Sequence, residues 1–72
     1  MALSKSDWDW CKMEIKETLD KALEILVEKN LAKGNNHTLA RMLALSAMYG
    51  MLSNNVTKKQ SKIILEIAKD WK

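Results

Sequence analysis

Hydrophobic side chains occupy most positions of residues 39–52, where Arg41, Ser46 and Gly50 are the main exceptions. The stretch contains no Pro and is long enough for about four helical turns. A helix that is apolar on nearly every side needs cover from other elements on more than one side. In a chain of 72 residues, this central helix therefore determines how the other elements must be arranged.

The region before the central helix has apolar residues at every third or fourth position, which is the spacing of one helix face. They are Trp8, Cys11, Ile15, Leu19, Ala22, Leu23 and Leu26. Gly34 follows as the kind of residue that commonly ends a helix. We therefore predict a long first helix over residues 7–33. A break near Asn30 is the alternative, and it would give a compact monomer.

Start signals place the two remaining helices. Capping side chains precede the central helix, which we place at residues 38–53; the candidates are Asn36, His37 and Thr38. Thr57 and Gln60 form a capping-box pattern before a third helix over residues 58–71. The inward positions of that helix are predicted to be Ile63, Ile64, Ile67, Ala68 and Trp71. The predicted fold class is all-α, with three helices in one domain of residues 1–72.

Helix lengths favour a homodimer. At ~1.5 Å per residue, the first helix would be about 40 Å long and the other two about 21 to 24 Å each. A hairpin of the short helices would cover only about half of the long one. So small a chain needs a further source of stability, and Cys11, the single cysteine, excludes a disulfide within one chain. Two-fold dimers are the commonest oligomers, so we predict a helical homodimer.

The central helix has two sides of different character. One side carries large apolar residues and two small ones: Leu39, Met42, Leu43, Ser46, Tyr49 and Gly50. The other side carries Ala40, Ala44, Ala47, Met48 and Met51. Alanines let a second helix approach closely, and flexible methionines fill an irregular seam. We assign the first side to the chain's own helices and the second to the dimer interface.

Two candidate partner surfaces follow, one from the distribution of charge and one from apolar residues outside the predicted core. The net charge is only +3, but residues 57–72 carry five lysines against two acids. Trp10 and Met13 lie beside each other off the apolar face of the first helix, and these residue types are frequent in binding hot spots. The predicted partner-binding residues are Trp10, Met13, Lys58, Lys62, Leu65 and Lys69, and the alternative for Trp10 is packing over a lysine or in the dimer interface. With Lys72, the lysines of the third helix suit steering toward an acidic protein surface.

Catalytic and metal chemistry is not indicated. His37 is the only histidine, so a metal site lacks further ligands of the usual kind. Cys11 lies on the inward face and has no recognisable base beside it. We expect no enzyme activity, no cofactor and no small-molecule substrate. The longest apolar stretch is shorter than the ~20 residues that cross a bilayer, and the residues after Met1 lack a signal-peptide core. We therefore expect a cytoplasmic protein without a membrane segment.

The sequence thus predicts a small regulator, adaptor or inhibitor that acts by binding another protein. The alternative is a DNA-binding dimer that presents the lysines of the third helix to phosphates. Apolar residues around Gly50 roughly follow helix-turn-helix spacing, although Lys59 stands where that motif needs an apolar residue. The single arginine and the acidic first helix favour the protein-binding hypothesis.

Overall fold

The computed structural model describes residues 13–52 and 56–71, which form three helices. They are α1 (Met13–Ala32), α2 (His37–Met51) and α3 (Lys58–Asp70). The part of the chain that the structure describes contains no strand. The all-α class and the three predicted helices are therefore confirmed. Residues 7–12 of the first predicted helix and residue 53 of the second lie outside the described residues.

The end of α1 is fixed by its own backbone. The helix is continuous through Asn30, so the alternative with a break there is wrong. The amide of Asn35 donates to the Asn30 carbonyl (3.4 Å), and that of Gly34 to the Leu31 carbonyl (3.0 Å). This pair of bonds is a Schellman motif, and Gly34 has the positive φ of 94° that the motif requires. Buried Asn30 also donates its side-chain amide to the Leu26 carbonyl (2.8 Å), which supports the last turn.

The starts of α2 and α3 follow the predicted capping signals. Asn36 is the cap of α2, and its side-chain oxygen accepts a hydrogen bond from the Leu39 amide at 2.8 Å. Thr57 and Gln60 form a complete capping box, with the two reciprocal bonds at 3.1 and 3.2 Å. These bonds satisfy backbone amides that have no partner within the helix. The third helix therefore begins at the predicted residue.

The core lies between α1 and the two shorter helices, each of which packs on α1. Leu19, Leu23 and Leu26 of α1 are almost completely buried. The other helices and the loop before α3 contribute the remaining residues of the same cluster: Ala44, Met48, Val56, Ile64 and Ala68. The apolar face of α1 is therefore covered within one chain from residue 15 to residue 26. The sequence predicted that the two short helices would leave part of the first helix uncovered, but this range is covered. The apolar face of α1 therefore gives no separate support for a second subunit.

The orientation of α2 is the reverse of the prediction. Ala40, Ala44 and Met48 are fully buried within the single chain, and Ala47 and Met51 pack partly against the core. The assignment of this side to a dimer interface is therefore wrong. The physical reason is volume, because the leucines of α1 fill the space between the helices and alanines on α2 let the two backbones approach.

The inward face of α3 is narrower than predicted. Ile64 and Ala68 are buried, whereas Ile63, Ile67 and Trp71 are exposed to between 36% and 50%. The remaining inward position belongs to Ser61, whose hydroxyl donates to the Lys58 carbonyl at 2.8 Å. A buried hydroxyl paired in this way carries little penalty. Two of the three isoleucines of α3 are thus left facing outward.

Candidate protein-binding surfaces

The outer face of α2 is an exposed apolar surface. It comprises Leu39, Met42, Leu43, Ser46, Tyr49 and Gly50, all of them exposed. The four large side chains keep between 42% and 61% of their area in contact with solvent. Between residues 42 and 52 the chain has no charged residue, so charged side chains do not interrupt this face. Large contiguous apolar surfaces of this kind usually mark interaction sites.

The spacing on the outer face of α2 suits contact with another helix. Leu39, Met42, Ser46 and Tyr49 alternate in steps of three and four, which is the pattern of a coiled-coil seam. Gly50 lies beside this row, and a Cβ atom added there would meet nothing within 4 Å. The chain's own fold therefore leaves open space over Gly50, where a partner helix can approach the backbone.

The outer face of α3 is amphipathic. It lines an open groove of about 590 Å³ and comprises Lys59, Lys62, Ile63, Glu66, Ile67, Asp70 and Trp71. A second groove, of about 350 Å³, lies where Met51 of α2 and Val56 approach Ile63 and Ile67. The apolar side chains of α3 thus border two depressions, and the charged ones border only the first.

Ion pairs engage two of the lysines that were predicted to bind a partner, Lys58 and Lys69. Lys58 Nζ lies 3.1 Å from a carboxylate oxygen of Glu14, and Lys69 Nζ lies 3.3 Å from Glu66. Lys29 of α1 donates to the backbone carbonyls of Lys69 and, at 3.0 Å, Trp71. This places a cation at the negative end of the α3 dipole. The basic character of α3 is therefore offset by acids on α1 and on α3 itself.

The described members of the predicted partner-binding set lie along α3 and at the start of α1. Met13 is highly exposed, and the Glu14–Lys58 pair brings its end of α1 close to the start of α3. Lys62 lies on the outer face of α3, whereas Leu65 packs partly against the core. Trp10 lies outside the described residues. The exposure of the outer face of α2 was not predicted, because its apolar pattern was assigned to the core.

Asp20 is a titratable group with a clear perturbation. Burial raises the pKa of its carboxyl above the ordinary value, and nearby Lys16 partly opposes that change. One carboxyl oxygen is shielded from solvent and accepts no hydrogen bond from the residues that the structure describes. The neighbouring acid Glu24 raises the pKa further, so this shielded carboxyl is a local destabilising feature of the fold.

Two kinds of site are absent from the described residues. Among residues 13–52 and 56–71, no group of three or more His, Cys, Asp or Glu side chains is arranged to hold a metal ion. Over the same ranges, no helix combines the length and hydrophobicity needed to cross a bilayer. Comparison with known proteins found no family model, no curated protein and no solved structure that matches the chain.

Proposed function

We propose that this chain is a small, non-enzymatic protein-binding regulator, adaptor or inhibitor, which works in the cytoplasm as a helical homodimer. The observation that carries the proposal is the outer face of α2, where four large apolar side chains remain exposed although the core is filled without them. The cytoplasmic location is supported by the single cysteine, which suits a reducing compartment.

The partner that best suits the outer face of α2 is an amphipathic helix with apolar residues in a seven-residue repeat. Such a helix places its side chains between those at positions 39, 42, 46 and 49. Covering the exposed half of a Leu or Met side chain contributes about 1 kcal/mol, since full burial contributes about 1.5 to 3 kcal/mol. Burial of the four large residues by a partner helix would therefore stabilise the contact without any charged residue in it.

Gly50 supports the same partner. Glycine in a helix costs about 1 kcal/mol relative to alanine, and neither a positive φ nor a close neighbour requires it here. Close approach of a partner backbone would account for its presence, because a Cβ atom at this position would hold that helix away. Exposed Ser46, one turn earlier, also has a small side chain, so a partner backbone can approach the same strip of surface.

The experiment is site-specific photo-crosslinking in the native cell. A photoreactive residue replaces Met42 on the outer face of α2, and the control replaces Lys21, which is exposed on α1. We expect a discrete adduct with another protein from position 42 that is absent from position 21. Adding Gly50→Ala or Leu39→Ala to the position-42 probe should weaken that adduct. Equal labelling from both positions, or no change with either substitution, would contradict the assignment of this face.

DNA binding through α3 is the alternative, and the described contacts favour it less. Lys58 and Lys69 are paired with acids, and Lys62 shares its groove with Glu66 and Asp70. Four phosphate contacts would give a log-log salt slope of about −3.6 on duplex DNA. A labelled duplex that does not shift at low salt would remove the alternative, whereas a shift with that slope would favour it over protein binding.

A further inference from the structure

The outer face of α3 carries opposite charges at its two ends. Exposed Lys59 and Lys62 lie in the first half of the helix, and exposed Glu66 and Asp70 lie in the second half. Ile63 lies between these groups with half of its surface in solvent, and Ile67 follows one turn later. The face is therefore apolar along one row, positive at its start and negative at its end.

The side chains form two parallel rows with four-residue spacing. One row is Lys59, Ile63, Ile67 and Trp71, and the other is Lys62, Glu66 and Asp70. The open groove of about 590 Å³ is lined by these two rows. Grooves between rows of this spacing accept the matching row of a second helix, which is the commonest way helices pack. The surface is therefore shaped for a helix with a similar row.

We infer that the occupant is α3 of a second copy of the chain, packed antiparallel about a two-fold axis. In that orientation, the lysines at the start of one helix face the acids at the end of the other. A parallel pair would place lysine opposite lysine and acid opposite acid, which is repulsive. Because the homodimer is part of the proposed function, this arrangement rests on it, and it replaces the alanine side of α2 as the predicted self-interface.

One axis position satisfies all the contacts. The pairs are Lys59 with Asp70, Lys62 with Glu66, and Ile63 with Ile67, each residue facing its counterpart in the second copy. The midpoint of each pair falls at residue position 64 or 65, or halfway between them. At ~1.5 Å per residue these midpoints differ by less than about 2 Å. A single two-fold axis therefore brings both charge pairs and the isoleucines together.

The contact is expected to be weak. Two helices of 13 residues bury less than the roughly 1,600 Å² of a standard interface, so we expect weak association. The existing pair between Glu66 and Lys69 does not prevent the contact, since a carboxylate accepts several hydrogen bonds. Exposed charge pairs are screened by salt, so dimerisation should weaken as the ionic strength rises.

The test uses two charge-reversed chains in sedimentation equilibrium at low salt, from about 20 μM to 1 mM, a range suited to weak association. The acidic variant carries Lys59→Glu with Lys62→Glu, and the basic variant carries Glu66→Lys with Asp70→Lys. We expect wild type to dimerise and each variant alone to dimerise at least tenfold more weakly. An equimolar mixture of the two should form heterodimers at least as readily as wild type forms homodimers.

Matched controls separate this contact from general effects of charge. Lys21→Glu with Lys33→Glu gives the same change in net charge as the acidic variant, and Glu17→Lys matches half of the change in the basic one. All three positions are exposed on or next to α1, and these controls should dimerise like wild type. Far-UV circular dichroism verifies that every chain is helical before its mass is compared.

The outcomes separate two hypotheses, the homodimer itself and the antiparallel contact between the two α3 helices. If wild type dimerises and the mixture fails to recover what the separate variants lose, the antiparallel α3 contact is wrong while the homodimer stands. If the variants dimerise like wild type, the same conclusion holds. If wild type is monomeric up to 1 mM, both the homodimer and this arrangement are contradicted. Partner binding through α2 is then decided separately by crosslinking from position 42.

Discussion

Replacing Gly50 by Ala should stabilise the isolated protein and weaken partner binding at the same time. The glycine is helical, and a Cβ atom added to it would have no neighbour within 4 Å, so the new methyl group meets no obstacle. A full helix-interior site would gain about 0.8 to 1 kcal/mol. Because α2 ends at Met51, one residue later, we expect about half of that gain, or about 0.5 kcal/mol.

The assay is thermal unfolding followed by far-UV circular dichroism at low protein concentration. For a domain of this size, 1 kcal/mol corresponds to roughly 4 to 8 °C, so Gly50→Ala should raise Tm by about 2 to 4 °C. Gly34→Ala is the matched control, since Gly34 also has open space but adopts a φ of 94°. Alanine is strained in that conformation by about 1 to 2 kcal/mol, and its Tm should fall.

The same substitution at Gly50 should reduce the yield of the position-42 adduct. A lower Tm for Gly50→Ala would show that the helix is not free to accept a side chain there. A higher Tm with an unchanged adduct would show that the partner does not approach this strip. Either result would contradict a role for the open space over Gly50 in protein binding.

Three further predictions concern the fold. Leu19→Ala removes a fully buried side chain. It should lower the free energy of unfolding by about 2 to 5 kcal/mol, whereas Leu43→Ala on the outer face of α2 should change that free energy by less than about 1 kcal/mol. The loss in Leu19→Ala is enough to abolish the cooperative unfolding transition in urea. Thr57→Ala breaks the capping box of α3 and should lower the free energy of unfolding by about 1 kcal/mol in the same titration. Asp20→Asn should raise Tm at pH 7. It should leave Tm nearly unchanged at pH values below the pKa of Asp20 in both the folded and the unfolded state. The raised pKa means that the folded state holds the proton more tightly, so its stability falls as pH rises above 3.8.

Local signals predicted the helices well. Gly34 ends the first helix through its positive φ, and Thr57 with Gln60 starts the third. These signals act between residues close in sequence, so one chain segment contains all the information that they need. The inward row of α1 from Ile15 to Leu26 was likewise predicted, because polar residues on the other side leave only one face to bury.

The orientation of α2 was not predictable in the same way. Both of its sides are apolar, so periodicity cannot distinguish the side that packs on α1 from the one that faces solvent. The choice depends on the volumes of Leu19, Leu23 and Leu26, which pack in the same core cluster as Ala44 and Met48. The surface now proposed for partner binding was therefore visible in the sequence as a pattern, but its position outside the core was not.

The rate of methionine oxidation by dilute hydrogen peroxide, measured residue by residue by mass spectrometry, reports which side of α2 faces solvent. Met42 is largely exposed on the outer face of α2, and Met48 is fully buried on the opposite side. In the folded protein, Met42 should oxidise at a rate close to that of exposed Met13, and Met48 should be strongly protected. Rapid oxidation of Met48 with protection of Met42 would contradict the account, because it would place the alanine side of α2 outward.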